Sequence, residues 1–268
     1  MRTSSNPAFR NLPGGQRGAT LDRQGGMMGG AAASTDAAAG QVQYGRAVPG
    51  ERLLTVDDVV TKTAICAALA LVTGVLTVVS GLYVLALPAF IIGLVVSLIL
   101  IFKQSSNPAL VLTYSAAMGV ALGGITGLLE NIPNFEGIGF QAVVGTAGVF
   151  VGMLVIYKTG AVRVTPKFTK WLMGAMIGVV VLMIANLVAG LFGANLGLRD
   201  GSWLSIVFSL VVIGVAAFSL LLDFDQADQA IRAGAPAKFA WYIAFGLMTT
   251  LVWLYIEILR LLSYFNSD

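Results

Sequence analysis

Long apolar segments alternate with short polar ones along most of this chain, from about residue 62 onward. A helix needs about 20 consecutive, mostly apolar residues to cross the hydrocarbon core of a bilayer. Seven such segments are present, at about 62–83, 85–102, 109–130, 138–157, 170–194, 203–222 and 239–262. The pattern therefore predicts an all-α integral membrane protein, a bundle of seven transmembrane helices that has the lipid bilayer as its surroundings.

The beginning of the chain lacks this pattern. Residues 1–55 are rich in Gly, Ala, Ser and Arg and show no apolar periodicity. Such a segment buries too little apolar surface to offset the entropy lost on ordering. We predict a disordered tail over residues 1–55 and a seven-helix domain over residues 56–265.

Composition agrees with this class and restricts the chemistry. The chain is 57% hydrophobic and 11% charged, and its net charge of +3 is too small to indicate a nucleic-acid partner. A single cysteine, Cys66, excludes an internal disulfide. Histidine is absent, which removes the commonest general base and transition-metal ligand. We expect neither an enzyme nor a bound cofactor.

The basic residues predict how the helices are oriented. With the N-terminus in the cytoplasm, 14 of the 16 Lys and Arg residues fall on the cytoplasmic side, and Arg199 and Arg260 fall outside. Cytoplasmic segments of membrane proteins are enriched in Lys and Arg. We therefore expect a multi-pass protein of the plasma membrane with a cytoplasmic N-terminus and an external C-terminus.

Small residues recur at a spacing of four on three of the predicted helices. They are Ser115, Gly119, Gly123 and Gly127 on the third, Gly148 and Gly152 on the fourth, and Gly174 and Gly178 on the fifth. This spacing places them on one stripe of each helix, where neighbouring backbones can approach closely. We predict tight helix packing at these stripes, and a narrow pathway along the third helix stays open as an alternative.

Three carboxylates follow the sixth apolar segment, in "LLDFDQADQA". Asp225 and Asp228 are three residues apart and share a helix face, and Arg232 is placed to pair with Asp228. We predict that these two acids are solvated and can concentrate cations at the mouth of a pathway. Asp223 points about 160° away from Asp225 and is the candidate for the bundle interior.

The seventh segment contains a further acid, Glu257, with Arg260 one turn later. An ionisable side chain within a span indicates function by default. One interpretation is an ion pair between Glu257 and Arg260 at the outer interface. The other is that Glu257 faces Asp223, because two carboxylates in one apolar site cannot both ionise cheaply and so form a proton switch without histidine.

The segments "LLLDFDQADQA", "LYIEILRLL" and "GITGLLENIPNFEGIGFQAVVGTAGVFVGMLVIYKTG" resemble the Bax inhibitor / YccA family over roughly residues 55–265. The tail "MRTSSNPAFRNLPGG" is similar to an actinobacterial branch. The resemblance implies a pH-sensitive calcium leak channel in which acids on helices six and seven face each other. It implies that Asp223 and Glu257 are these acids and the ligands of calcium, the transported ion, and that Lys103 is the nearest match to the family's basic counterpart.

A second function is compatible with the same resemblance. Some YccA-like proteins resemble non-transporting regulators that bind a membrane protease or another membrane protein. The sequence leaves open such a membrane-protein partner and also the oligomeric state, with which a monomer is compatible.

Overall fold

The computed structural model describes residues 51–193 and 196–266, so the predicted tail lies, up to residue 50, outside the described residues. Seven helices follow in order: α1 (Val56–Ser80), α2 (Ala86–Lys103), α3 (Pro108–Glu130), α4 (Ile138–Thr159), α5 (Pro166–Leu191), α6 (Trp203–Arg232) and α7 (Ala240–Asn266). Short 3-10 turns, Tyr83–Leu85 and Ala237–Phe239, precede α2 and α7. All seven helices are long and apolar enough to cross a membrane, which confirms the predicted fold class.

Several helices extend beyond the apolar segments that predicted them. The first begins at Val56, six residues earlier than expected, because Thr55 and Asp58 form a reciprocal capping box. The fifth begins four residues early, at Pro166, since the Thr165 hydroxyl accepts a hydrogen bond from a free backbone N–H of the first turn. An apolar segment measures the bilayer-crossing part of a helix, whereas capping side chains set its end.

The stripe on α3 lies against α1. A Cβ atom built at Gly119 would lie 2.7 Å from Cα of Ala70, and one built at Gly123 would lie 2.7 Å from Cα of Gly74. A Cβ at Gly127 would overlap the ring of Tyr83. The structure therefore uses Gly119 and Gly123 for close approach of the α1 backbone and Gly127 to make room for the Tyr83 ring, and protein atoms occupy the stripe where a pathway was the alternative.

The shorter stripes on α4 and α5 behave differently from the expectation. Cβ atoms added at Gly148, Gly152, Gly174 or Gly178 would meet nothing within 4 Å. Within the described residues, α5 packs mainly against α6 and exposes most of its apolar side chains. The prediction of tight packing at these four glycines is wrong for the described chain, because no helix faces them.

α7 is the central helix, in contact with α1, α3, α4 and α6.

Residues 51–55, named the strap from here on, pair with the loop between α6 and α7. The backbone N–H of Leu54 donates a hydrogen bond of 2.9 Å to the carbonyl oxygen of Ala235. The backbone N–H of Ala237 donates one of 2.8 Å to the carbonyl oxygen of Arg52. Leu54 is 3% exposed. Residues 51–55, which the predicted tail includes, thus have backbone partners in the loop and one buried apolar side chain.

Candidate functional site

Asp223 lies on the face of α6 that packs against α7. Its Oδ2 atom accepts a hydrogen bond of 2.6 Å from the hydroxyl of Thr250 on α7. Asp223 is half-buried, and Ser219 and Ala227, one turn to either side, are buried. This places the carboxylate inside the bundle, where its hydrogen-bond partner is a neutral hydroxyl group.

Asp223 and Thr250 meet because α6 and α7 form an antiparallel pair. Asp223 precedes the end of α6 at Arg232 by nine residues, and Thr250 follows the start of α7 at Ala240 by ten. At 1.5 Å per residue, both lie about 14–15 Å from the connecting loop. Equal depth on neighbouring helices brings the two side chains together.

Glu257 has a different partner. Both of its carboxylate oxygens accept hydrogen bonds from Nη1 of Arg260, at 2.8 and 2.7 Å. The residue is only 1% exposed. Ionised groups are buried at this depth only when they are paired, and Arg260 supplies the pairing from the next turn of the same helix.

The expectation that Asp223 and Glu257 face each other is not met in this structure. Glu257 follows Thr250 by seven residues, which is about 10 Å along the axis of α7. No hydrogen bond joins the two acids within the described chain. The physical reason is the length of the connection between them, which aligns Asp223 with Thr250 and leaves Glu257 two turns further from the loop.

Arg199, in the loop between α5 and α6, lies near the Glu257–Arg260 pair. Partial burial and the positive charge of Arg260 lower the pKa of Arg199, while Glu257 acts in the opposite direction. A shallow pocket opens at this end of the bundle, lined by Leu129, Ile132, Phe135, Arg199, Asp200, Gly201, Ser263 and Tyr264. The arginines Arg199 and Arg260 and the acids Asp200 and Glu257 thus lie at the end of the bundle opposite the strap.

The two acids beyond Asp223 are held by their own helix. Asp225 accepts a hydrogen bond from the side-chain amide of Gln229 at 2.5 Å. Asp228 forms an ion pair of 2.7 Å with Arg232, the partner that the four-residue spacing predicted. Both acids are half-buried at the loop end of α6, next to the mouth expected for a cation pathway.

Lys103 does not join the acids. It is the last residue of α2 and is exposed. α2 packs mainly against α3, and among the described residues no ion pair connects Lys103 with Asp223 or Glu257. The role of basic counterpart implied by the resemblance therefore finds no contact in this conformation.

Two polar contacts of the structure were not predicted from the sequence, one in the site and one at the start of α1. Thr250, the partner of Asp223, is one of two adjacent threonines in α7, and the relative depth and rotation of the two helices decide which of them meets Asp223. The polar contacts around Asp58 had a clearer sequence signal. Thr55 is followed three residues later by an acid, and this is the spacing of a capping box. Asp58 accepts hydrogen bonds from Arg52 at 2.5 Å and from Lys62 at 3.5 Å.

The carboxylates do not form a multidentate metal site. Within the described residues, no group of three or more Cys, Asp or Glu side chains is close enough to hold a metal ion. The two acids expected to bind calcium, Asp223 on α6 and Glu257 on α7, lie at different depths of the helix pair.

A family model described as Bax inhibitor 1 like matches residues 6–267, nearly the whole chain. The chain belongs to the Bax inhibitor 1 like family. None of the curated proteins compared with the chain matches it. Together with seven apolar helices, membership makes this Bax inhibitor 1 like protein a multi-pass membrane protein.

In this Bax inhibitor 1 like protein, the chemistry within the membrane-spanning helices is concentrated on α6 and α7. Asp223 and Glu257 mark two depths of that pair, one bound to a hydroxyl and the other to a guanidinium. The remaining interior is mostly apolar or consists of hydroxyl groups bonded to carbonyl oxygens of their own helix. The α6–α7 pair is therefore the candidate functional site.

Proposed function

We propose that this protein is a pH-sensitive cation leak channel that conducts calcium along α6 and α7. The observation that supports it best is the pairing of Asp223 with the neutral hydroxyl of Thr250. An acid inside an apolar bundle and not neutralised by an ion pair is available to a proton or to a cation. Carboxylate oxygens are the ligands that calcium prefers, and protonation removes them, so proton and calcium compete.

Glu257 is the second acid of the proposed pathway. Since it lies about 10 Å from Thr250 along α7, a cation passes from one carboxylate to the next and is not held by both. Single-carboxylate sites in series bind weakly enough to release the ion, as conduction requires. Passage at Glu257 requires that Arg260 give up part of its two hydrogen bonds.

The orientation of the pathway follows from the basic residues. With 14 of 16 Lys and Arg residues on the side where α1 begins, we propose that this side is cytoplasmic and that the membrane is the plasma membrane. Asp223 then serves the cytoplasmic half, and Glu257 serves the external half near Arg199. Asp225 and Asp228 supply negative charge at the cytoplasmic mouth.

The test is calcium flux into liposomes that contain only this protein, measured over a pH series. Asp223→Asn should abolish the pH dependence of the flux near neutrality, and Glu257→Gln should reduce the flux because it removes the second carboxylate of the pathway. Asp225→Asn is the matched control, because Asp225 lies two residues away on the same helix but is bound by Gln229 of its own helix. It should keep the pH profile.

Two outcomes would contradict the proposal. If Asp223→Asn retains the wild-type pH profile and Glu257→Gln retains the wild-type flux, these acids do not serve the pathway. If the wild-type protein carries no calcium at any pH and a second membrane protein co-purifies with it, the non-transporting regulator is the better function.

A further inference from the structure

The strap is held to the α6–α7 loop in the manner of a short antiparallel sheet. Leu53 lies opposite Pro236 as the residue pair between two backbone hydrogen bonds. At this position neither residue needs a ladder N–H, so proline is tolerated there. An ion pair of 2.9 Å between Glu51 and Lys238 continues the pairing on its outer side.

A buried side chain anchors the strap. Leu54 is 3% exposed, whereas its neighbour Leu53 is 56% exposed. Opposite them, Ala235 is fully buried and Gly234 adopts a left-handed conformation with φ of 69°. The strap is thus attached by two backbone hydrogen bonds and by the burial of the Leu54 side chain.

Charged groups connect the strap with the first turn of α1 and with α7. Asp58 of α1 is buried and accepts hydrogen bonds from Arg52 of the strap and from Lys62. The Lys62 ammonium group also donates to the carbonyl oxygen of Ala237 at 3.5 Å and lies 5.8 Å from the ring centre of Trp241. Strap, α1 and the start of α7 are therefore tied together around one carboxylate.

We propose that the strap is a clasp that controls access to Asp223. The loop that it grips joins α6 and α7, and Asp223 and Thr250 lie at equal depth below that loop. While the strap is bound, the loop ends of both helices are fixed against α1. Release lets these ends separate, which opens the α6–α7 contact to water and cations.

The clasp can be tested without any flux, in protein whose native Cys66 is replaced by serine. Ala227→Cys places a thiol one turn from Asp223, at a position 8% exposed in the closed state. Leu54→Ala removes the anchor and should speed the reaction of this thiol with a water-soluble maleimide at least about tenfold, because it deletes a buried contact. Leu53→Ala is the matched control and should leave the rate within about twofold of the parent, since this leucine is exposed.

A second variant keeps the clasp shut. Antiparallel partners that do not exchange hydrogen bonds have Cα atoms about 4.5 Å apart, which suits a disulfide. Leu53→Cys with Pro236→Cys, oxidised, should suppress maleimide labelling at position 227 and calcium flux, and a reductant should restore both. Only the flux arm rests on the proposed channel function.

The outcomes separate the two proposals. Labelling that responds to Leu54→Ala and to the disulfide, in a protein without flux, supports the clasp and overturns the channel. If the wild type conducts calcium but the oxidised disulfide changes neither the labelling nor the flux, the clasp is overturned and the channel proposal is unaffected. If Leu54→Ala does not fold, the disulfide variant, compared before and after reduction, decides alone.

Discussion

Replacing Gly123 by alanine adds one methyl group at the contact between α1 and α3. The new Cβ atom would lie 2.7 Å from Cα and 2.8 Å from the carbonyl carbon of Gly74. Carbon atoms in contact prefer about 3.5–4.0 Å, so the two helices must move apart by roughly 1 Å. The atoms in the way belong to the backbone, which cannot rotate aside as a flexible side chain does.

The cost can be isolated with a second glycine. A Cβ atom at Gly148 of α4 would meet nothing within 4 Å. Both substitutions gain the same helix propensity, about 1 kcal/mol, so this contribution cancels when the two variants are compared. The remaining difference is the overpacking at Gly123, roughly 1–3 kcal/mol. For a domain of this size, that corresponds to a difference in Tm of about 2–12 °C.

Cys66 provides the assay, because its thiol is free and 0% exposed. A thiol-reactive dye reports its exposure during heating in detergent, and one scan rate must be used throughout because unfolding of such proteins is often irreversible. Gly123→Ala should unfold at a lower temperature than Gly148→Ala, and Gly123→Leu lower still. Equal midpoints for the two alanine variants would refute the close approach of α1 and α3.

Three further predictions follow from other parts of the molecule. A membrane-impermeant thiol reagent applied from outside should label a cysteine placed at Ser267 but not one at Ser34, in protein without its native cysteine; the reverse pattern would invert the topology. Arg260→Met should destabilise the protein by about 3–5 kcal/mol in thermal unfolding, because Glu257 is left buried without its partner, and adding Glu257→Met should recover much of the loss. Hydrogen bonds from Ser202 and Ser205 hold the pKa of Asp200 at about 2. Its stabilising contribution is therefore present above about pH 4 and lost as the pH falls toward 2, so the Tm difference between wild type and Asp200→Ala should shrink over that interval.

The sequence was most informative about the transmembrane segments and least informative about helix depth. Seven apolar segments predict seven helices, because bilayer thickness sets their length. The i,i+4 spacing likewise predicts the Asp228–Arg232 ion pair. The sequence could not decide in this way whether Asp223 and Glu257 face each other. The answer depends on how far α6 and α7 continue beyond their apolar segments. α6 continues for ten residues beyond its apolar segment, from Asp223 to Arg232, and this length places Thr250 at the depth of Asp223. Glu257 lies further from the loop and pairs with Arg260 of its own helix.

The strap joins parts of the chain that are synthesised far apart in time. Leu54 leaves the ribosome 181 residues before its partner Ala235, an interval of roughly 10–35 s at about 5–20 residues per second. The glycine contact between α1 and α3 is complete once residue 130 has emerged, whereas Leu54 has no site to enter until α6 and its loop have been made. Closure of the strap is thus among the last steps of assembly. A chain that stops before this loop therefore leaves Leu54 without the partners that cover it in the complete protein.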